Sequence, residues 1–139
     1  MPLMSPEEYK ASLRDGRRVF YRGEPVEDVA AHPVIGLAVD HAAIDYEMAH
    51  AGDDRELAVV EGPSGPYSRY YHIPENADDL LKRSALIERA TALGGTLVVL
   101  IKEIGTDALF ALHLIAEHMD REMGTEYLPR VKKFYEHCR

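Results

Sequence analysis

Apolar residues concentrate between Gly94 and Met123, and the remaining segments are patterned around that stretch. It opens on Gly94-Gly95, continues through the apolar run Leu97–Ile101 and is punctuated by Gly105-Thr106. Beyond that point Ala108, Ala111, Leu112, Ile115 and Met119 recur at helical spacing, with Glu117, Asp120 and Arg121 on the other side. Spacings of three and four predict an amphipathic helix whose apolar stripe faces the core. The run Leu97–Ile101 reads two ways. Its β-branched residues favour a strand, whereas helices on both sides would leave a lone strand without a sheet partner.

The other elements follow from local grammar. Ser5-Pro6-Glu7-Glu8 supplies an N-cap, a first-turn proline and a glutamate placed for a capping box, so a helix is predicted from Ser5 to about Asp15, stopping at Gly16. Val19–Tyr21, a turn at Gly23 and Pro25-Val26 predict a small hairpin. His32-Pro33 breaks the chain, and a second helix is expected from Pro33 to about His50, ended by Ala51-Gly52-Asp53-Asp54. Leu57–Glu61 and Tyr67–Ile73 read as short extended pieces around the turn-rich Gly62–Pro66. Asn76 caps a third helix over Ala77–Leu93, with Asp78 and Asp79 in its positive first turn. A last helix begins near Thr125, with Pro129 in or near its first turn, and is expected to bury Leu128, Val131, Phe134 and Cys138.

Composition narrows the function classes. With 139 residues, 46% hydrophobic and 29% charged, the chain suits one globular domain with a single core. No apolar stretch is long enough to span a bilayer, and Met1–Lys10 lacks the regions of a signal peptide, which predicts a cytosolic protein with no membrane partner. A net charge of -8 argues against binding a phosphate backbone, so no nucleic-acid partner is expected. One cysteine, Cys138, excludes an internal disulfide and a multi-cysteine metal site.

Short-range constellations are incomplete. Glu47-x-x-His50 has the spacing of a carboxylate-bridged metal pair but has no second copy. His113 and Glu117 share a helix face and read as a surface pair. His41 beside Asp40 lacks a nucleophile, and there is no phosphate-binding loop or dinucleotide fingerprint. Residue spacing alone assembles no complete active site, and no metal site is expected.

An ordered set of motifs carries a resemblance. These are Tyr9, Ser12, Leu13 and Arg17; Gly23, Glu24 and Val26; His32-Pro33; Tyr46 and His50; Tyr70–Leu80; Gly105-Thr106-Asp107-Ala108; and Gly124-Thr125-Glu126-Tyr127. In this order they resemble the N-terminal domain of the 4-hydroxyphenylacetate 3-monooxygenase family, which also contains 4-hydroxybutyryl-CoA dehydratase. The resemblance implies a mainly α fold, the helical N-terminal domain of an acyl-CoA-dehydrogenase-like architecture with a small β-hairpin. It also implies that residues 1–139 form one such domain and that the middle β and C-terminal helical domains are absent. It favours a buried helix over Gly95–Glu103.

The same resemblance places the family's chemistry around Gly105. Monooxygenases carry there an arginine and a tyrosine that hold a phenol oxygen, and the matching positions are Ile104 and Ala108. The dehydratase carries two cluster-ligating cysteines, matched by Val99 and Glu103, so an iron–sulfur cluster is not expected in this chain. Val99, Glu103, Ile104, Thr106 and Ala108 are the implied substrate-pocket positions, with Glu103 and Asp107 as candidate catalytic acids. Two readings of the acids stay open: Asp107, after Thr106, caps the following helix, or Glu103 is a pocket-lining carboxylate. The functional expectation is a small subunit of a split FADH2-dependent monooxygenase. Its partner would be a larger FAD-binding chain in a hetero-oligomer, with a flavin reductase supplying reduced flavin. The alternatives are a dehydratase-like subunit without the cluster and a non-catalytic interaction module.

Overall fold

The computed structural model describes residues 3–95 and 100–139. In chain order these form α1 (Pro6–Ser12), β1 (Val19–Tyr21), β2 (Glu24–Val26), α2 (Ile35–His50), α3 (Arg55–Ala58), β3 (Val59–Gly62) and β4 (Gly65–Ser68). A 3-10 turn (Arg69–Tyr71), α4 (Ala77–Leu93), α5 (Leu100–Met123) and α6 (Leu128–Cys138) complete the chain. The strands make two separate antiparallel hairpins, one pairing Val19 with Val26 and the other Val59 with Ser68. The choice between strand and helix for Leu97–Val99 falls outside the described residues; from Leu100 onward the chain is helical.

The helix starts explain several of the motifs. Ser5 Oγ accepts the Glu8 N–H at 3.1 Å while the Glu8 carboxylate accepts the Ser5 N–H at 2.7 Å, a closed capping box. The helix it starts ends at Ser12, a turn earlier than the sequence predicts. No Ser, Thr or Asp caps α2. Instead His32 Nδ1 accepts the N–H groups of Val34 and Ile35 at 3.2 and 3.1 Å, so the imidazole of the His-Pro pair satisfies donors that the helix leaves unpaired. Gly36 lets this turn close on the preceding loop, because a Cβ there would lie 2.7 Å from the Ala30 carbonyl oxygen.

Among the described residues, two apolar clusters hold the elements together. The larger joins Ile44, Met48 and Ala49 of α2, Ala58, Val59 and Tyr70, and Leu86 and Ala90 of α4. The smaller joins Leu109 and Ala116 of α5 to Val131 of α6, with Leu128 and Tyr135 against it. Leu57 lies in α3 rather than in an extended piece, and beyond Ser68 the chain turns into the 3-10 segment.

The long helix α5 differs from expectation in two ways. Gly105 does not interrupt it: one helix runs from Leu100 to Met123, and Thr106 Oγ1 donates back to the Lys102 carbonyl oxygen at 2.6 Å. The buried side is also not the expected one. Glu103, Thr106, Leu109 and Ala116 face inward, whereas Ile104, Leu112 and Ile115 are 60%, 47% and 54% exposed, and Ala108 and Ala111 are exposed with them. The inward stripe is read poorly from sequence because two of its members are polar. Phe134 of α6 is likewise exposed rather than buried. Asp120, expected on a solvated face, accepts the Tyr127 and Leu128 N–H groups at 2.8 and 2.9 Å and so caps α6 from the end of α5.

Candidate functional site

Where α2, α4, the 3-10 turn and the first half of α5 meet, the structure buries a set of charged side chains. Arg83 occupies the inner stripe of α4 with Leu86 and Ala90 and is buried. Its guanidinium donates to the Tyr70 carbonyl at 3.0 Å, to the Glu103 carbonyl at 3.3 Å, to Thr106 Oγ1 at 2.8 Å and to Asp107 Oδ1 at 2.6 Å. It also lies 5.9 Å from the centre of the Tyr70 ring and 5.5 Å from that of Phe110. One planar cation therefore ties α4 to the turn and to α5.

A second pair lies beside it. Lys102 Nζ is 3.3 Å from Asp45 Oδ2 and 4.0 Å from the centre of the Tyr46 ring, which itself stacks on Tyr9 at 4.6 Å. The Asp45 side chain is 2% exposed. Among the described residues, neither Asp45 oxygen, Tyr70 Oη nor Glu103 Oε1 has a hydrogen-bond partner in good geometry, although the Lys102 ammonium and the Tyr70 hydroxyl lie close to Asp45.

The electrostatics follow from burial. Loss of solvent raises the Asp45 carboxyl, opposed by the Lys102 ammonium; the same burial lowers Lys102, opposed by Asp45. Burial, reinforced by the Asp45 charge, raises Glu103 above the ordinary glutamate value, with Arg83 pulling the other way. Tyr46 is pushed up to about 12 by burial and neighbouring tyrosines. Asp45, Lys102, Glu103 and Tyr46, all displaced chiefly by burial, thus meet here.

The positions implied by the resemblance split across α5. Glu103 and Thr106 face inward and belong to the buried cluster. Ile104 and Ala108 lie on the exposed outer side. Val99 lies outside the described residues. Asp107 is not a helix cap, since α5 begins earlier; it is an ion-pair partner of Arg83 with its side chain 64% exposed. Arg83, Asp45 and Lys102 were missed by motif reading. The available signal was their place in otherwise apolar helical stripes, where an ionisable residue has to be paired. His50 holds the N-terminal segment through Met4 O at 3.2 Å, while Glu47 is exposed. Among the described residues no three His, Cys, Asp or Glu side chains converge as metal ligands.

Among the surface clefts of the described residues, two are lined in part by α5. One, of about 390 Å³, is lined by Tyr46, Tyr67, Tyr71, Lys102 and Arg139 among others. The other, of about 460 Å³, is mainly apolar and lies between Ile73, Leu80, Phe110, His113 and Leu114. Each has the size of a site for a small ligand.

Residues 5–139 match the family described as 4-hydroxyphenylacetate 3-hydroxylase N terminal. The chain belongs to this family. Among its relatives, the oxygenase component of 4-nitrophenol 2-monooxygenase from Rhodococcus sp is 35% identical over 88 residues, 60% of this chain and 17% of the relative. An oxygen-tolerant archaeal 4-hydroxybutyryl-CoA dehydratase from N. maritimus superposes with a TM-score of 0.84 at 28% identity, covering 96% of this chain and 26% of that one. The oxygenase component of 4-hydroxyphenylacetate 3-monooxygenase, solved with FAD and 4-hydroxyphenylacetate, has the same fold: TM-score 0.78, 21% identity, 97% of this chain and 28% of that one. The architecture is therefore the helical N-terminal portion of an acyl-CoA-dehydrogenase-like fold. The chain spans about a quarter of the length of these solved relatives. Neither Ile104 nor Ala108 can donate a hydrogen bond through its side chain. No helix among the described residues is long and apolar enough to cross a membrane.

Proposed function

We propose that residues 1–139 act as one domain, the N-terminal-domain component of a flavin-dependent monooxygenase of this family, completed by a larger chain that carries the middle and C-terminal domains and binds FAD. The observation that carries this reading is the outer face of α5. Ile104, Leu112, Ile115 and Met123 are between 47% and 68% exposed, on one helix of a chain that spans about a quarter of its solved relatives. Apolar side chains exposed together on one helix face suit an interface.

On this reading the outer face of α5 packs on the larger chain and presents Ile104 and Ala108 as an apolar wall of the substrate site. Polar groups that hold the substrate then come from the partner, and the substrate is not a simple 4-hydroxyphenyl acid. Reduced flavin, delivered by a separate reductase and bound on the partner, supplies the oxygen-activating chemistry. This chain's own part is to exclude water and shape the pocket.

The test is affinity purification of the tagged chain from its host, followed by native mass spectrometry and titration of the recovered complex with FAD. Expected is a complex with a larger chain that binds FAD and dissociates when Ile115→Asp is introduced. Recovery of the chain alone, or a complex indifferent to Ile115→Asp, removes the basis of the proposal and favours a non-catalytic module. The superposition on the archaeal dehydratase supports a second reading, a dehydratase-like subunit without the cluster. Turnover that depends on oxygen and reduced flavin selects the monooxygenase; turnover without either selects the dehydratase-like reaction.

A further inference from the structure

A second site lies on the other side of α5. Lys102 is two residues from Ile104, which turns it about 200° around the helix, into the cleft of about 390 Å³. Tyr67, from the β3–β4 hairpin, lines the same cleft and heads a chain of polar contacts. Its hydroxyl is 3.0 Å from His72 Nδ1, and His72 Nε2 is 3.3 Å from Asp79 Oδ1. Asp79 is fixed in turn, because its Oδ2 accepts the Glu75 N–H at 3.0 Å.

The direction of proton donation follows from these contacts. An ionised carboxylate only accepts, so the Asp79 contact selects the imidazole tautomer with hydrogen on Nε2. Nδ1 then offers a lone pair, and Tyr67 O–H donates to it. The order of roles is that of a hydrolase triad, with a phenol in the place of the serine hydroxyl. The Arg139 guanidinium lies 4.1 Å from the centre of the Tyr67 ring and packs over its face, which fixes the ring in place. The position is built rather than incidental. A Cβ at Gly62 would lie 2.8 Å from Tyr67 Cε1 and 3.0 Å from Arg139 Nη2, so the glycine is what lets both groups occupy the strand surface.

The charges around the cleft indicate its ligand. Lys102 is paired with Asp45 at 3.3 Å and Arg139 with Glu136 at 3.7 Å, which cancels both cations internally. An anion would gain little net attraction. Tyr46, Tyr71, Leu3 and Met4 offer apolar and aromatic walls, with the Lys102 ammonium as a donor beside them. We propose that this cleft is an acid–base site in which Tyr67 is the proton-transferring phenol, His72 its base and Asp79 the positioning residue, and that it takes a small neutral carbonyl compound. It is independent of the interface proposed for the outer face of α5.

The test uses the whole chain and N-acetylimidazole. In the reaction a bond forms between Tyr67 Oη and the acetyl carbon and the acetyl–imidazole bond breaks. The phenol proton passes to His72 and then to the departing imidazole. Peptide mapping by mass spectrometry follows acetylation of Tyr67 against Tyr127, which is 43% exposed and serves as the internal standard. Tyr67 is half-buried, yet it should react faster than Tyr127. That ratio should fall about tenfold in His72→Phe and in Asp79→Asn, the size of effect expected on losing a general base. Asp79→Asn decides if His72→Phe does not fold. Acetophenone should protect Tyr67 and benzoate should not. Slower reaction than Tyr127, a ratio unchanged in Asp79→Asn, protection by benzoate alone, or protection by neither compound overturns the proposal.

Discussion

Replacing Arg83 by methionine isolates the contribution of one buried cation to the fold. Methionine fills a similar volume in the inner stripe of α4, so the change removes polar contacts with little cavity. The Thr106 hydroxyl keeps the Lys102 carbonyl at 2.6 Å, and the Glu103 carbonyl keeps Thr106 Oγ1 at 3.2 Å. What is lost is the donor to the Tyr70 carbonyl and the positive charge beside the buried Glu103. An orphaned buried acceptor costs about 1–3 kcal/mol, and stripping a buried carboxylate of its compensating charge costs a similar amount, which gives about 3 kcal/mol in total. For a domain of this size that is a fall in Tm of about 10–15 °C. Asp107 provides the control. Its side chain is 64% exposed, so Asp107→Asn should cost less than about 1 kcal/mol. Urea denaturation followed by far-ultraviolet circular dichroism measures both. If the two variants cost the same, or if Arg83→Met is within 1 kcal/mol of the parent, the buried-cation argument fails and the contact is a surface ion pair.

Burial places Glu103 above the ordinary glutamate value of 4.5, so the native state binds its proton more tightly than the unfolded chain does. Stability from this group is present below 4.5 and is lost as pH rises through its folded value; Glu103→Gln should flatten that decline and raise the urea midpoint at pH 7, and a lower midpoint refutes it. Ile115→Asp lies on the exposed face of α5 and should leave the urea midpoint of the isolated chain within about 0.5 kcal/mol of the parent, which makes it a clean probe of association. Ser5→Ala opens the capping box and should cost about 1 kcal/mol, with hydrogen exchange accelerated in α1 and unchanged in α4. Exchange that rises equally in both helices would show that the box is not a local feature.

Caps and turns were legible in the chain because they depend on residues three or four positions apart. The Ser5–Glu8 box and the Asn76 cap are where the sequence predicts them, Asn76 Oδ1 accepting the Asp79 N–H at 3.0 Å. The hidden parts depend on distant partners. His32 reads as a breaker before proline, and its capping role appears only once its ring folds back over α2. Asp120 reads as solvated because the N–H groups it satisfies come seven and eight residues later. The face of α5 was misassigned for a deeper reason. Periodicity finds the apolar stripe but does not say what covers it, and here the covered stripe is the one holding Glu103 and Thr106. Of the implied site residues, sequence separates Ile104 and Ala108 from Glu103 and Thr106 only if Gly105 is known not to break the helix.

The division of the interior into two clusters bears on how the chain opens. Helix α5 has 24 residues and, at 1.5 Å per residue, is about 36 Å long, so it reaches from one cluster to the other. Its first turns are riveted to α4 by Arg83; from Leu109 onward it meets α6 through a cluster built on Leu109, Ala116 and Val131. The smaller cluster gives its end of the beam fewer anchors. Amide exchange should therefore sort into two tiers, with α6 and the last turns of α5 opening by a local route and the Arg83 end exchanging only when the whole chain unfolds. A partner seated on the outer face of α5 would raise the weaker tier toward the stronger one, turning two cooperative units into one.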